Sequence, residues 1–115
     1  MNRLGRGLVD ALTAHLKGGT ARPPEAGVTL WLAFLSLSRT RRHHWGGPEP
    51  ISFAEIEAYC RLMRAPFEPQ HVEILMAMDH TWMTWANDRP PEGTKTLPQR
   101  SAQGLNVALF DAITG

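Results

Sequence analysis

The feature that most constrains this chain is an apolar stretch of ten residues at positions 28–37, VTLWLAFLSL. A bilayer span needs about 20 apolar residues, so this stretch predicts burial by other parts of the protein. Leu30, Trp31 and Phe34 leave it almost no polar face, which is typical of a central helix covered by its neighbours. Pro23-Pro24-Glu25 supplies a favourable first turn, and the predicted helix ends near Arg39.

Three more segments have apolar residues at helical spacing. A first helix is predicted over residues 3–17, where leucines recur every fourth position until Gly18 and Gly19 end it. A third helix begins at Ser52, which forms a capping box with Glu55. Its predicted inward stripe consists of Phe53, Ile56, Cys60 and Met63.

The fourth helix is predicted from Pro69 to about Asp88. Pro66 ends the preceding helix, because a residue before proline is disfavoured in helical geometry. The apolar stripe of the fourth helix consists of Ile74, Leu75, Met78, Trp82 and Trp85.

Two segments lack apolar periodicity. Residues 39–50, RTRRHHWGGPEP, read as an exposed loop, and residues 89–104 read as a flexible linker. A short amphipathic helix is then predicted at the end of the chain, with its apolar face formed by Leu105, Leu109 and Phe110. A helix this short is not stable alone and needs a surface on which to dock. The predicted fold is therefore all-α and without β-sheet: a small four-helix core domain over residues 1–88, then a linker and C-terminal docking segment over residues 89–115.

Composition excludes several functional classes. With 115 residues the chain is one small domain, and its single cysteine, Cys60, excludes an internal disulfide and favours the cytoplasm. The histidines lack the spacing of a metal site, and no glycine-rich phosphate loop or nucleophile elbow occurs, so we expect no enzyme, cofactor or metal. Asp10 interrupts the segment where a secretion signal would need apolar residues, so neither secretion nor a membrane partner is expected.

The charges are unevenly distributed. Residues 1–50 carry 7 basic and 3 acidic side chains, whereas residues 51–88 carry 2 and 6. Arg41 and Arg42, next to His43 and His44, could contact an acidic protein surface or phosphate, or could simply be solvated at a helix end. Trp45 in the same loop is a candidate anchor for a protein partner.

The fourth helix offers a second candidate surface. Trp82, Trp85 and Met78 are predicted to border a groove for an apolar helix, which Leu109 and Phe110 of the tail could cover. Asp79 lies at the margin of the buried stripe and needs a hydrogen-bond donor, for which Trp82 and Tyr59 are candidates. The third and fourth helices could form a DNA-reading helix-turn-helix, but no Lys or Arg occurs between Pro69 and Asp88, so nucleic acid is an unfavoured partner.

A further inference comes from resemblance. The order of capping and core residues over positions 23–85 resembles the small tail assembly chaperones of long-tailed bacteriophages and prophages. The matching motifs are Pro23-Pro24-Glu25-Ala26-Gly27, Leu30-Trp31-x-x-Phe34, Ile51-Ser52-x-x-Glu55-Ile56-x-Ala58-Tyr59 and Ile74-x-x-Met78-Asp79-x-x-Trp82.

The resemblance implies a small helical protein of the host cytoplasm that binds the tape-measure protein and keeps it soluble during tail assembly, without catalysis. The tail-tube protein is a second candidate partner, and a homo-oligomer is left open. Two alternatives remain: a structural tail or neck component retained in the particle, and a small DNA-associated regulator. Gene context separates the first of these from the chaperone, whose gene should directly precede a very long tape-measure gene.

Overall fold

A computed structural model describes residues 1–88 of the chain. Within them lie four α-helices, one turn of 3-10 helix and a two-stranded hairpin; none of these helices is both long and apolar enough to cross a membrane. The predicted linker and terminal helix, with Leu109 and Phe110, fall outside the described residues. The elements in chain order are α1 (Arg3–Leu16), the 3-10 turn (Glu25–Gly27), α2 (Val28–Arg39), β1 (His43–His44), β2 (Gly47–Pro48), α3 (Phe53–Met63) and α4 (Pro69–Asp88).

The first and last described helices pack along each other. Leu8 and Leu12 of α1 are fully buried in one core with Ile74 of α4. Gly5 allows this close approach, because a Cβ atom there would lie 3.1 Å from the Ile74 side chain. The Asn2 side chain caps α1 by accepting a hydrogen bond from the Gly5 amide at 2.8 Å.

Helix α2 contacts both α3 and α4 and contributes Trp31 and Phe34 to the core, as predicted. The expectation that its neighbours leave it no exposed face is wrong at Leu32, which is 54% exposed. The Gly27 position before α2 fits tightly against α1, since a Cβ atom there would lie 2.9 Å from Leu8.

The start of α3 is where the sequence predicts it, but the residues that α3 buries are not the predicted ones. The Ser52 hydroxyl accepts from the Glu55 amide and the Glu55 carboxylate accepts from the Ser52 amide, which confirms the capping box. Ile56 is buried, whereas Phe53 is 66% and Met63 62% exposed, so their predicted inward orientation is wrong. No described element covers the face on which these two side chains lie.

The segment predicted as an exposed loop contains a small antiparallel sheet, which corrects the all-α expectation. His43 pairs with Pro48 and His44 with Gly47, so Trp45 and Gly46 form the turn. Gly47 has a φ of +130°, a conformation that glycine adopts readily and other residues rarely do. Two consecutive glycines after Trp45 therefore let the chain reverse tightly.

Candidate protein-binding site

Arg41 and Asp79 form a buried ion pair beneath the hairpin. Arg41 Nη2 lies 2.6 Å from Asp79 Oδ1, and the two side chains are 1% and 4% exposed. The same guanidinium donates to the Glu49 carbonyl at 2.9 Å and to Ser38 Oγ at 3.0 Å. We call this pair with its partners the Arg41 junction, because it joins the end of α2, the hairpin and α4.

The Trp82 ring packs against the guanidinium group of the Arg41 junction. The guanidinium carbon of Arg41 lies 3.9 Å from the centroid of the Trp82 ring. A cation over an indole face is attractive, and more so where water is excluded. Trp82 is half-buried, and Arg41 covers one face of its ring.

Asp79 needs donors, as the sequence predicts, but they are not the expected ones. Its Oδ2 accepts the Ile51 amide at 3.0 Å, and its charge is balanced by Arg41. Neither the Trp82 indole nor the Tyr59 hydroxyl supplies the bond. Asp79 thereby fixes the chain just before the capped start of α3.

An apolar groove lies beside Trp85, between the last turn of α1 and the second half of α4. Its volume is about 370 Å³, within the range of ligand-binding clefts. We call it the α1–α4 groove, and it is lined by Thr13, Leu16, Lys17, His80, Thr81, Thr84 and Trp85. The Trp82 and Trp85 rings are 6.0 Å apart, so the groove adjoins the Arg41 junction.

The predicted partner-binding residues separate into two groups. Met78 is 0% exposed and Arg41 is buried, so both belong to the interior and present no surface to a partner. The sequence places Arg41 in a predicted exposed loop, and this prediction is wrong. Arg41 is buried because it pairs with the carboxylate of Asp79, 38 positions later in the chain. The other group is accessible: Trp85 lines the groove, while Trp45 and Arg42 lie on the exposed hairpin.

Sequence reasoning missed the α1 side of the groove. Leu16 and Thr13 line it, yet the leucine repeat of α1 predicted only core packing for Leu16. The available signal was that α1 and α4 have apolar stripes of similar length, which favours packing of the two helices along each other. It does not show where the two helix surfaces separate and leave a groove.

No group of three His, Cys, Asp or Glu side chains is placed to hold a metal ion within residues 1–88. The groove has one histidine, His80, and one lysine, Lys17, among otherwise apolar or hydroxyl-bearing side chains. Such a lining suits an apolar side chain or helix face better than a charged small molecule.

A comparison with protein families decides among the candidate classes. Residues 13–84 match the family described as phage tail assembly chaperone, which is more than half of the 115 residues. The chain belongs to the phage tail assembly chaperone family. A search of the curated proteins found no match, and a search of the solved structures found none either.

Family membership confirms the resemblance and bears on the role of the α1–α4 groove and of the exposed hairpin. The matched region includes the hairpin and every groove residue except Trp85, which follows it directly. A chaperone family favours a non-catalytic role in which the protein binds other tail proteins. An apolar groove lined by the half-buried Trp85, together with the exposed Trp45 on the hairpin, is consistent with that role.

Proposed function

We propose that this chaperone binds the tape-measure protein in the host cytoplasm and keeps it soluble while the tail is assembled. Family membership carries the proposal, and the α1–α4 groove supports it as the binding surface. A client helix with apolar residues at positions i, i+3 and i+7 could place them against Leu16 and Trp85. Covering those client residues would prevent their aggregation.

Co-expression of the full chain with the tape-measure protein of the same phage tests this proposal. We expect the wild-type chaperone to move the tape-measure protein into the soluble fraction. Thr84→Arg should abolish this effect, because Thr84 is an exposed groove residue and a guanidinium there opposes an apolar helix. Asn87→Arg adds the same charge to exposed Asn87, outside the groove lining, and serves as the matched control.

A soluble fraction that is equal with and without the chaperone would contradict the proposed function. Equal solubility with the two arginine variants would instead show that binding occurs elsewhere. Purified virions provide a second measurement: stoichiometric retention of the chain in the particle would favour a structural tail component over a chaperone.

We further propose that residues 105–113 compete with the client for the same groove. α4 ends at Asp88, one turn after Trp85, and the sequence predicts a 16-residue linker over residues 89–104, for which random-coil scaling gives a span of roughly 20–24 Å. Leu109→Asp should therefore raise client affinity, whereas Val107→Asp, on the other side of a helix built from these residues, should not. Titration of tape-measure fragments into the two full-length variants measures the difference, and equal affinities would contradict the competition.

A further inference from the structure

Trp45 is exposed to solvent and is not part of the α1–α4 groove, so binding at the groove does not account for its exposure. The residue has a relative accessibility of 102%, and it lies at the tip of the hairpin formed by residues 42–49, here called the Trp45 hairpin. Burying an indole removes a large apolar surface from water, so a tryptophan fully exposed on a tight turn is unusual. Tryptophan is also among the residues that contribute most often to protein–protein binding energy.

The turn that carries Trp45 is fixed by hydrogen bonds. The Gly46 amide donates to His44 Nδ1 at 2.9 Å, and the Glu49 amide donates to the Arg42 carbonyl at 2.9 Å. Together with the pairing of His44 with Gly47, these bonds define the backbone on both sides of the tryptophan. The Trp45 hairpin is thus ordered before any partner is bound.

The base of the hairpin is fixed by the Arg41 junction. Arg41 Nη1 donates to the carbonyl of Glu49, the residue just after β2, and the same guanidinium is paired with Asp79 of α4. Removing two charges from water is costly, and this pair still leaves Arg41 Nε without a hydrogen-bond partner among the described residues. What the pair provides is a defined position for the hairpin against α4, which lowers the ordering cost of binding.

The charges around Trp45 indicate the chemistry of its partner. Arg39 and Arg42 are exposed, and Glu49 is the only acidic residue between Glu25 and Glu55. Arg42 lies 3.5 Å from Glu49, but its side chain is 75% exposed, and such a surface pair contributes little. Arg42 can therefore exchange this contact for a carboxylate on another protein.

We propose that the Trp45 hairpin docks into an apolar pocket edged by carboxylates on the tape-measure protein, as a second contact beside the groove. The inference rests on the proposed function, because it assigns a further surface to the same client. The two surfaces are linked through Trp82, which lies beneath Arg41 and 6.0 Å from Trp85 in the groove. One client can therefore engage both, and the second contact is then effectively intramolecular.

A nucleic acid is the less favoured partner of this hairpin. Binding to single strands uses several aromatic residues in a cationic channel, whereas residues 42–49 contain Trp45 but no Phe or Tyr. The neighbouring helix α4 has no Lys or Arg and contains Glu73, Asp79 and Asp88. Glu73 and Asp88 are exposed and oppose a phosphate backbone but not a protein partner, whereas Asp79 is buried and paired with Arg41.

Titration of soluble tape-measure fragments into the full-length chaperone, at low and high salt, tests the inference. Trp45→Ala should weaken binding by at least about tenfold, and Trp45→Phe should retain most of the affinity. Arg42→Glu should weaken binding and reverse its salt dependence, whereas Arg42→Lys should preserve both. Phe53→Ala, which removes an exposed aromatic ring from α3, is the matched control and should change nothing.

The outcomes distinguish the two proposals. No binding by the wild-type chain contradicts the proposed function and the hairpin inference together. Wild-type binding with equal affinity for Trp45→Ala overturns the hairpin inference alone. Trp45-dependent binding of a labelled single-stranded oligonucleotide, without an effect of Trp45→Ala on the tape-measure fragments, overturns it in favour of nucleic acid.

Discussion

Helices α3 and α4 both begin with clear sequence signals, yet the structure uses their faces differently. In α4, Ile74, Leu75 and Met78 are almost completely buried. In α3, only Ile56 reaches the same degree of burial, while Phe53 and Met63 face solvent. α3 is therefore held at its N-terminal end by Ile51, Ile56 and the Asp79 contact, and further along by Tyr59 and Cys60, which are only partly buried.

The largest expected effect comes from breaking the point where the two helices meet. Asp79→Ala leaves the Arg41 guanidinium and the Ile51 amide without their buried acceptor. Removing one partner of a buried pair costs about 3–5 kcal/mol of unfolding free energy. Chemical denaturation measures this loss, and a cost below that of a surface substitution would contradict the role given to the junction.

Two further variants separate the cost of an unpaired buried charge from the cost of losing a surface ion pair. Glu49→Gln removes the half-buried partner of the exposed Arg42 and should cost less than about 1 kcal/mol of unfolding free energy. Replacing both members of the buried pair, with Arg41→Met and Asp79→Leu, should be less destabilising than Asp79→Leu alone, because no unpaired charge is left in the interior.

A matched pair of methionines measures the contrast between the helices directly. Met78→Ala in α4 should cost about 2–5 kcal/mol, because it creates a cavity in the core. Met63→Ala in α3 should change the unfolding free energy by no more than about 0.5 kcal/mol. Similar costs for both substitutions would mean that the exposed face of α3 is covered in the intact protein.

The cap of α3 gives an intermediate effect. Ser52→Ala removes the acceptor of the Glu55 amide and should cost about 1 kcal/mol. Glu55→Gln keeps a side-chain acceptor for the Ser52 amide and should be close to neutral. Thermal unfolding of both variants checks the difference, and equal melting temperatures would contradict it.

The last prediction is a gain of stability at the other end of α3. Arg64 ends the helix with a φ of 55°, in the left-handed region that side chains disfavour. Arg64→Gly should relieve this strain and stabilise the protein by up to about 1 kcal/mol, the gain being reduced by the freedom of glycine in the unfolded chain. A loss of stability would show that the Arg64 side chain makes a contact that offsets the strain.

Local features of this fold were predictable because they depend on neighbouring residues. The Ser52 and Glu55 box, the start of α4 at Pro69 and the buried stripe through Met78 all follow from spacing of a few positions. The burial of Arg41 was not predictable in this way, since its carboxylate partner lies on another helix. Periodicity shows that α3 is amphipathic but does not show whether another element covers it.

The same limit applies to the candidate site. Trp85 and Trp45 were identified because large aromatic residues occur at a helix end and in a loop. The groove itself depends on how the ends of α1 and α4 are placed, and the rigidity of the Trp45 hairpin depends on Arg41. Both are properties of the assembled tertiary structure.

The packing of α1 along α4 also has a consequence for how the protein is made. Residues 17–68 separate the end of α1 from the start of α4, so α1 leaves the ribosome long before its partner helix is synthesised. At about 5–20 residues per second the delay is several seconds. The groove forms only when α4 reaches α1, so a nascent chain cannot capture a client there before its own core is complete.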